Sequence, residues 1–296
     1  MRLILTVILF AICSSHSLAE EPPLTPATVI ENSSADDWRS PNQNNLVYLE
    51  LEQGVVVFEL APDFAPMHTN NLRTLISQQY FDGLAILRSQ DNYVVQWGDP
   101  AAEENNKKSL GKAKSNLAPE FYRALKGLSF SKIDSQDAYA DHVGFKQGFA
   151  AAHDGENAWL THCYGALGAG RGLAANSGNA AELYVVTGHS PRHLDKNVTL
   201  LGRVIHGIEH LSSLPRGTGR LGFYESEAEH VEIESIRLGS DLDAAEQIEF
   251  EIMRTDTDTF SDYVSARTFR KNEWFLDETG RIELCNVGVP VKLKNH

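Results

Sequence analysis

Several places in this 296-residue chain bring together side chains able to do chemistry. In the segment YFDGLAILRSQDNYVVQWGDP, residues 80–100, Arg88 is followed by Tyr93 and Gln96 in a β-branched, aromatic run. An arginine offers a rigid fork of N–H donors and no pKa near neutrality. With no base or nucleophile beside it, it can serve simply as a surface ion-pair residue, or as a fixed hydrogen-bond donor. Such a donor stabilises a transition state over its ground state. His206 and His210 have the spacing of two metal ligands on a helix, but Gly207 intervenes and no third ligand accompanies them, so no metal site is assigned. Gly165 to Gly172 is glycine-rich yet lacks the Lys-Ser/Thr ending of a phosphate loop. Cys163 beside His162 reads as a thiol nucleophile with its base, or as half of a bridge to Cys285.

Strands must hold Arg88 and its companions. Leu46–Leu51 and Val55–Leu60 are β-rich runs separated by Glu52-Gln53-Gly54, which predicts a hairpin. From Pro66 to Gln79 the apolar residues Leu72, Leu75 and Ile76 take helical spacing, and proline suits a first turn. Asp82-Gly83 marks a turn before Leu84–Leu87, and Tyr93–Trp97 reads as the next strand. Residues 100–159 carry basic clusters and polar turns, with a mild helical pattern over Glu120–Leu125, and read as a long surface insertion. Strands resume at Leu183–Thr187 and Val198–Ile205, and Ile208–Leu214 reads as a short helix. Beyond Pro215 a tail offers a strand at His230–Leu238, a helix at Phe260–Asn272 and an alternating end at Arg281–Val289. Many short strands with two or three helices predict a β-rich α+β fold, a closed antiparallel barrel.

The ends and the composition bear on compartment and partners. Met1-Arg2, the apolar run Leu3–Ile12 and Ser17-Leu18-Ala19 have the layout of a signal peptide cut after Ala19, and the run is too short to span a bilayer. This predicts a periplasmic or secreted protein. Residues 20–44 read as a flexible linker, 45–215 as the main domain, and 216–296 as an extension packed on it. A net charge of −14 disfavours nucleic acid and anionic lipid as partners, and no later stretch predicts membrane insertion. Outside the leader only Cys163 and Cys285 remain, either an even pair for a disulfide in an oxidising compartment or two separate thiols.

The segment 80–100 resembles the signature of cyclophilins, the aromatic-Asp-Gly turn, the Arg, then aromatic-apolar-x-Gln-x-Gly-Asp. Phe58–Pro62 through Asn71-Leu72-Arg73 is similar to the same family's second strand and first helix. Asn176-Ser177-Gly178, Glu182–Val185, Leu194-Asp195 and Gly202-Arg203-Val204 continue the resemblance in order, over about 46 to 214. HCYG at 162–165, Pro191-Arg192-His193 and Cys285-Asn286-Val287 are similar to a group of exported bacterial members.

The resemblance implies a cyclophilin-like barrel and peptidyl-prolyl cis/trans isomerase (rotamase) activity on proline-containing unfolded or exported polypeptides, without a cofactor. It implies Arg88 as catalytic donor, Tyr93 as floor of the proline pocket and Gln96 as a hydrogen-bonding partner of the peptide. Val94, Tyr184 and Leu194 fall on wall positions, Gly170-Arg171-Gly172 on the strip holding the residue before proline, and Glu182 and His193 on the rim. Leu87, Glu182, Leu183-Tyr184, His193 and Val198 depart from the residues most members carry there, which alters the rim and its polarity. A second expectation follows from those departures, a cyclophilin-fold binding module or chaperone for exported proteins with weakened catalysis.

Overall fold

A computed structural model describes residues 24–294 apart from 103 and 271; the expected leader, 1–19, lies outside the described residues. The chain opens with helix α1 (Pro26–Glu31), capped by Thr25, and a short strand β1 (Trp38–Arg39). Strands β2 (Leu46–Leu51) and β3 (Gly54–Leu60) form the expected hairpin. Helix α2 (Pro66–Ser77) begins on its proline and buries Leu72, Leu75 and Ile76. Strands β4 (Ala85–Ser89) and β5 (Val94–Gly98) form the second hairpin.

Residues 100–159 are more than surface loop. They hold β6 (Arg123–Ala124), β7 (Ser131–Lys132), β8 (His142–Lys146), β9 (Phe149–His153) and β10 (Asn157–Leu160), a five-stranded sheet in the order β6-β10-β9-β8-β7. The helical pattern expected over 120–125 gives way to β6. Glu120 instead caps α2, its carboxylate accepting from the Met67 and His68 amides at 3.0 and 2.9 Å. Those amides have no partner inside the helix, so a carboxylate there satisfies two donors at the positive end of the helix dipole.

The barrel continues with β11 (Ala166–Ala169), β12 (Leu183–Val186) and β13 (Leu200–His206), then the short helix α3 (Glu209–Ser212). Strands β14 (Val231–Glu232) and β15 (Ser235–Leu238) sit at opposite ends of the nine-stranded sheet, in the order β14-β4-β5-β12-β11-β13-β3-β2-β15. They are consecutive pieces of one segment. Its first half pairs with β4, its second half with β2, and the Ile233 and Glu234 amides donate to Leu84 and Glu50 across the joint. One passage of chain therefore joins the two ends of the sheet, and the barrel runs to Leu238 rather than to 215.

Alternation decides what lies inside the barrel. Val56, Phe58 and Leu60 of β3, Ile86, Val95, Trp97, Leu183 and Val185 point inward and pack with α2. Of their alternates, Val57 packs on Phe250 and Val186 joins a cluster with Phe149 and Leu160, both part of a second layer. That layer has its own core, built from Val29 and Trp38 at the N-terminus, Phe145 and Trp159 of the insertion, and Met253, Phe260 and Leu284 beyond the barrel. The last three come from β16 (Phe250–Met253), α4 (Asp258–Thr268) and the turn at 284–286, ahead of β17 (Val291–Leu293). Strands β1, β16 and β17 make a three-stranded sheet. Residues 26–39 are thus structured and packed, not a flexible linker, because Val29 and Trp38 bury their side chains here. Cys163 and Cys285 form a disulfide, Cα–Cα 5.0 Å, tying the end of the insertion to that turn.

Candidate active site

A break in the strand pattern aims Arg88. Ile86 pairs with Trp97, both buried in the barrel, and simple alternation would turn Arg88 inward as well. The register shifts between Ile86 and Arg88, so Arg88 pairs with Gln96, whose side chain faces out. A bulge of this kind re-aims the following side chain.

On the outer face Arg88 Nη1 donates to Gln96 Oε1 at 2.8 Å, Nη2 donates to Gln90 Oε1, and Nε donates to the Leu221 carbonyl at 2.7 Å. The guanidinium lies between two rings, 5.5 Å from the centroid of Tyr93 and 5.3 Å from that of Phe223. Three of its five N–H groups are engaged in these bonds. Burial lowers its pKa from the ordinary value, which leaves it cationic at any physiological pH. Gln96 Nε2 donates in turn to Glu182 Oε1, so Arg88 on β4, Gln96 on β5 and Glu182 just ahead of β12 form a row.

These side chains border a pocket of about 300 Å³. Arg88, Tyr93 and Gln96 line it with the apolar Val94, Tyr184 and Leu194, while Gly170, Arg171 and Glu182 stand at its edge beside Val198. Two expected residues lie elsewhere. His193 is exposed and stacks on Tyr93, ring centroids 6.4 Å apart and planes 8° from parallel. Gly172 lines a neighbouring groove of about 870 Å³ that shares Gly170, Arg171 and Glu182 with the pocket. A Cβ at Gly168 would collide with the Tyr184 ring, so glycine lets that ring lie across β11.

A buried polar chain holds the wall from behind. The backbone N–H of His162 donates to Asp195 Oδ1 at 3.0 Å, and its Nδ1–H donates to the same oxygen at 2.8 Å. Its Nε2 then accepts from the Tyr184 hydroxyl at 2.8 Å. Arg192 Nε donates to Asp195 Oδ2 at 2.6 Å, and its other nitrogens donate to Asp137 at 2.8 and 3.1 Å. Burial lowers the His162 pKa and keeps the ring neutral, while burial raises the Tyr184 pKa and keeps its hydroxyl a donor. Burial alone would raise Asp195, but the hydrogen bonds from His162 and the charge of Arg192 hold it below the usual carboxylate range.

The site thus sets a rigid donor beside an apolar pocket with room for a small ring. Residues 46–238 match the family model described as "Cyclophilin type peptidyl-prolyl cis-trans isomerase/CLD". The chain belongs to the cyclophilin family. It is a cyclophilin-type peptidyl-prolyl cis/trans isomerase, and cyclophilins bind proline-containing peptides. It is 24% identical over 189 residues to a probable peptidyl-prolyl cis-trans isomerase of Brucella suis, covering 64% of this chain and 78% of that one. A 65-residue stretch, 22% of this chain, is 37% identical to peptidyl-prolyl cis-trans isomerase-like 1 of Mus musculus, of which it covers 37%. In fold the cyclophilin is similar to the crystal structure of AquaCyp293 from Hirschia baltica, with a TM-score of 0.66 and 24% identity over 93% of this chain and 100% of that one. That likeness extends past residues 46–238 into the second layer.

Phe223, Leu221 and Gln90 were not among the residues expected at the site. Gln90 stands two residues from Arg88 and was within reach of a strand-pairing argument. Phe223 and Leu221 arrive from a loop after the last expected barrel element, and no local pattern marks them. Among the described residues no helix is long and apolar enough to cross a membrane.

Proposed function

We propose that this cyclophilin speeds cis/trans isomerisation of Xaa-Pro bonds in exported polypeptides, with Arg88 as the catalytic donor. Rotation about the prolyl amide is opposed by resonance, a barrier of about 18–20 kcal/mol. At the twisted midpoint the nitrogen becomes pyramidal and regains a lone pair. Arg88 lines the pocket, and an N–H group not spent on Gln96, Gln90 or Leu221 would meet that lone pair, while the planar ground state offers none. Val94, Tyr184 and Leu194 would hold the ring, Tyr93 would floor it, and Gln96 would fix the guanidinium. The observation that carries this reading is the bulge that brings Arg88 onto Gln96. Export rests on the leader at 1–19 and on a disulfide, which suits an oxidising compartment. The test is exchange of an Ala-Pro peptide by the chain and by Arg88→Ala; equal acceleration by both removes Arg88 from the mechanism.

A second reading rests on Leu221 and Phe223, which occupy one edge and one face of Arg88. It makes the protein a binder of unfolded exported chains with modest turnover. Client capture without acceleration of peptide exchange would favour it.

A further inference from the structure

The second layer contains a cleft of about 320 Å³ that shares no lining residue with the prolyl pocket. Its size falls within the roughly 300–1,000 Å³ of small-molecule sites. The walls are apolar, with Phe149 and Leu160 from the insertion, Ala166 and Leu200 from the barrel, and Val287 and Val289 from the C-terminal segment.

One end is charged. Arg203 of β13 lines the cleft, and its Nη2 lies 3.6 Å from Glu59 Oε2, beyond hydrogen-bond distance. Both oxygens of Glu59 already accept from Arg39, at 2.6 and 3.0 Å. Among the described residues the buried Nε and Nη2 of Arg203 have no hydrogen-bond partner, and the guanidinium rests 5.5 Å from the Phe149 ring centroid within ion-pair range of Glu59. Two guanidinium groups on one carboxylate leave one positive charge over, with donors unspent. Burying a charge that shares its one counter-ion is costly, and a guanidinium is shaped for a two-oxygen acceptor. A Cβ at Gly148 would stand 3.0 Å from Arg203 Nη2 and 3.4 Å from Arg39 Nη2, so glycine there keeps the space over both groups clear.

We propose that this cleft binds a small aliphatic carboxylate, with the carboxylate on Arg203 and the chain along the apolar walls. A carboxylate beside Arg203 restores charge balance; a hydrocarbon chain matches walls that offer it no polar demand. A peptide fits less well. Apart from Arg203, polar side chains on the lining are few, and the hydroxyl of Thr161 is already engaged with Cys163 Sγ at 3.4 Å. The amides of a peptide would lose water without gaining partners.

Calorimetric titration of the whole chain with decanoate and with 1-decanol, its uncharged counterpart, tests the proposal. Decanoate should bind at least tenfold more tightly. Arg203→Met keeps the one-to-one Arg39–Glu59 pair and should bring decanoate down to the level of decanol. Gly288→Leu should weaken binding of both, since Gly288 lines the cleft and a Cβ there meets nothing within 4 Å, leaving a bulky side chain room to crowd the cleft. If Arg203→Met fails to fold, the decanol comparison and Gly288→Leu still decide. Absence of saturable decanoate binding, equal affinity for acid and alcohol, or undiminished binding by Gly288→Leu overturns the proposal. Tighter binding of a short peptide with an apolar C-terminus overturns the ligand class.

Discussion

Arg88 Nη1 donates to Gln96 Oε1 across a bulged strand pair, so the position of the donor is set by backbone register as much as by its own side chain. Truncating Arg88 removes the donor, and loss of one preorganised donor costs about 10²–10³ in rate. Arg88→Ala is expected to lower kcat/KM for an Ala-Pro peptide by about that factor. Arg88→Lys keeps the charge and loses the fork, and should recover little of the loss. Protease-coupled or NMR exchange rates give the comparison.

Glu182 accepts from Gln96, and its carboxylate raises the Arg88 pKa, opposing burial as the main influence on the guanidinium. Glu182→Gln keeps the size and removes the charge. The N–H groups of Arg88 become stronger donors, and kcat/KM should rise a few-fold, most for peptides with acidic residues beside the proline. A fall in kcat/KM for every peptide would mean that the carboxylate holds Gln96 in place and that its charge is secondary.

The Cys163–Cys285 bridge spans 122 residues. Closing a loop of that size stabilises a chain by about 4–5 kcal/mol in the chain-entropy model. Cys163→Ser with Cys285→Ser should lose stability on that scale in urea unfolding, as should the wild type under reductant. Activity at low temperature should persist, because the bridge fastens the second layer and does not touch the prolyl pocket.

Acid should loosen the wall of the pocket. Folded His162 and folded Asp195 each hold a proton less tightly than the unfolded chain does, so the unfolded state binds more protons and stability rises with pH. His162 contributes in full above its unfolded value of 6.5 and loses its share as pH falls through its lowered folded value. Asp195 follows below 3.8. Urea midpoints at pH 7.5, 6 and 5 should fall in the wild type and fall less in His162→Gln. Some slope should remain, since His153 is also lowered, by burial and by His142.

Much of the barrel was legible in the sequence because its strands are apolar and its hairpins are local. The β2–β3 hairpin, α2 and the β4–β5 pair occur where alternation and turn residues place them. Arg88, Tyr93 and Gln96 were legible as a group because they share one hairpin. The second layer was not. Its core joins Trp38, Trp159 and Leu284, each in a segment too short or too polar to announce burial alone. Within the alternating stretch Arg281–Val289, Leu284–Asn286 folds as a tight turn, and α4 stops at Thr268 instead of running to Asn272. The bulge before Arg88 leaves no local mark either, since an extra residue in a strand looks like a strand.

The segment Val231–Leu238 pairs with β4 on one side and β2 on the other. A chain leaving the ribosome N-terminus first must therefore carry both strand edges unpaired until residue 238 has emerged. Exposed edges recruit foreign strands. Truncation anywhere ahead of that segment would strand the molecule in this open form. The isomerase is thus itself a late-closing client of the folding environment, dependent on its last barrel strand to shield its first.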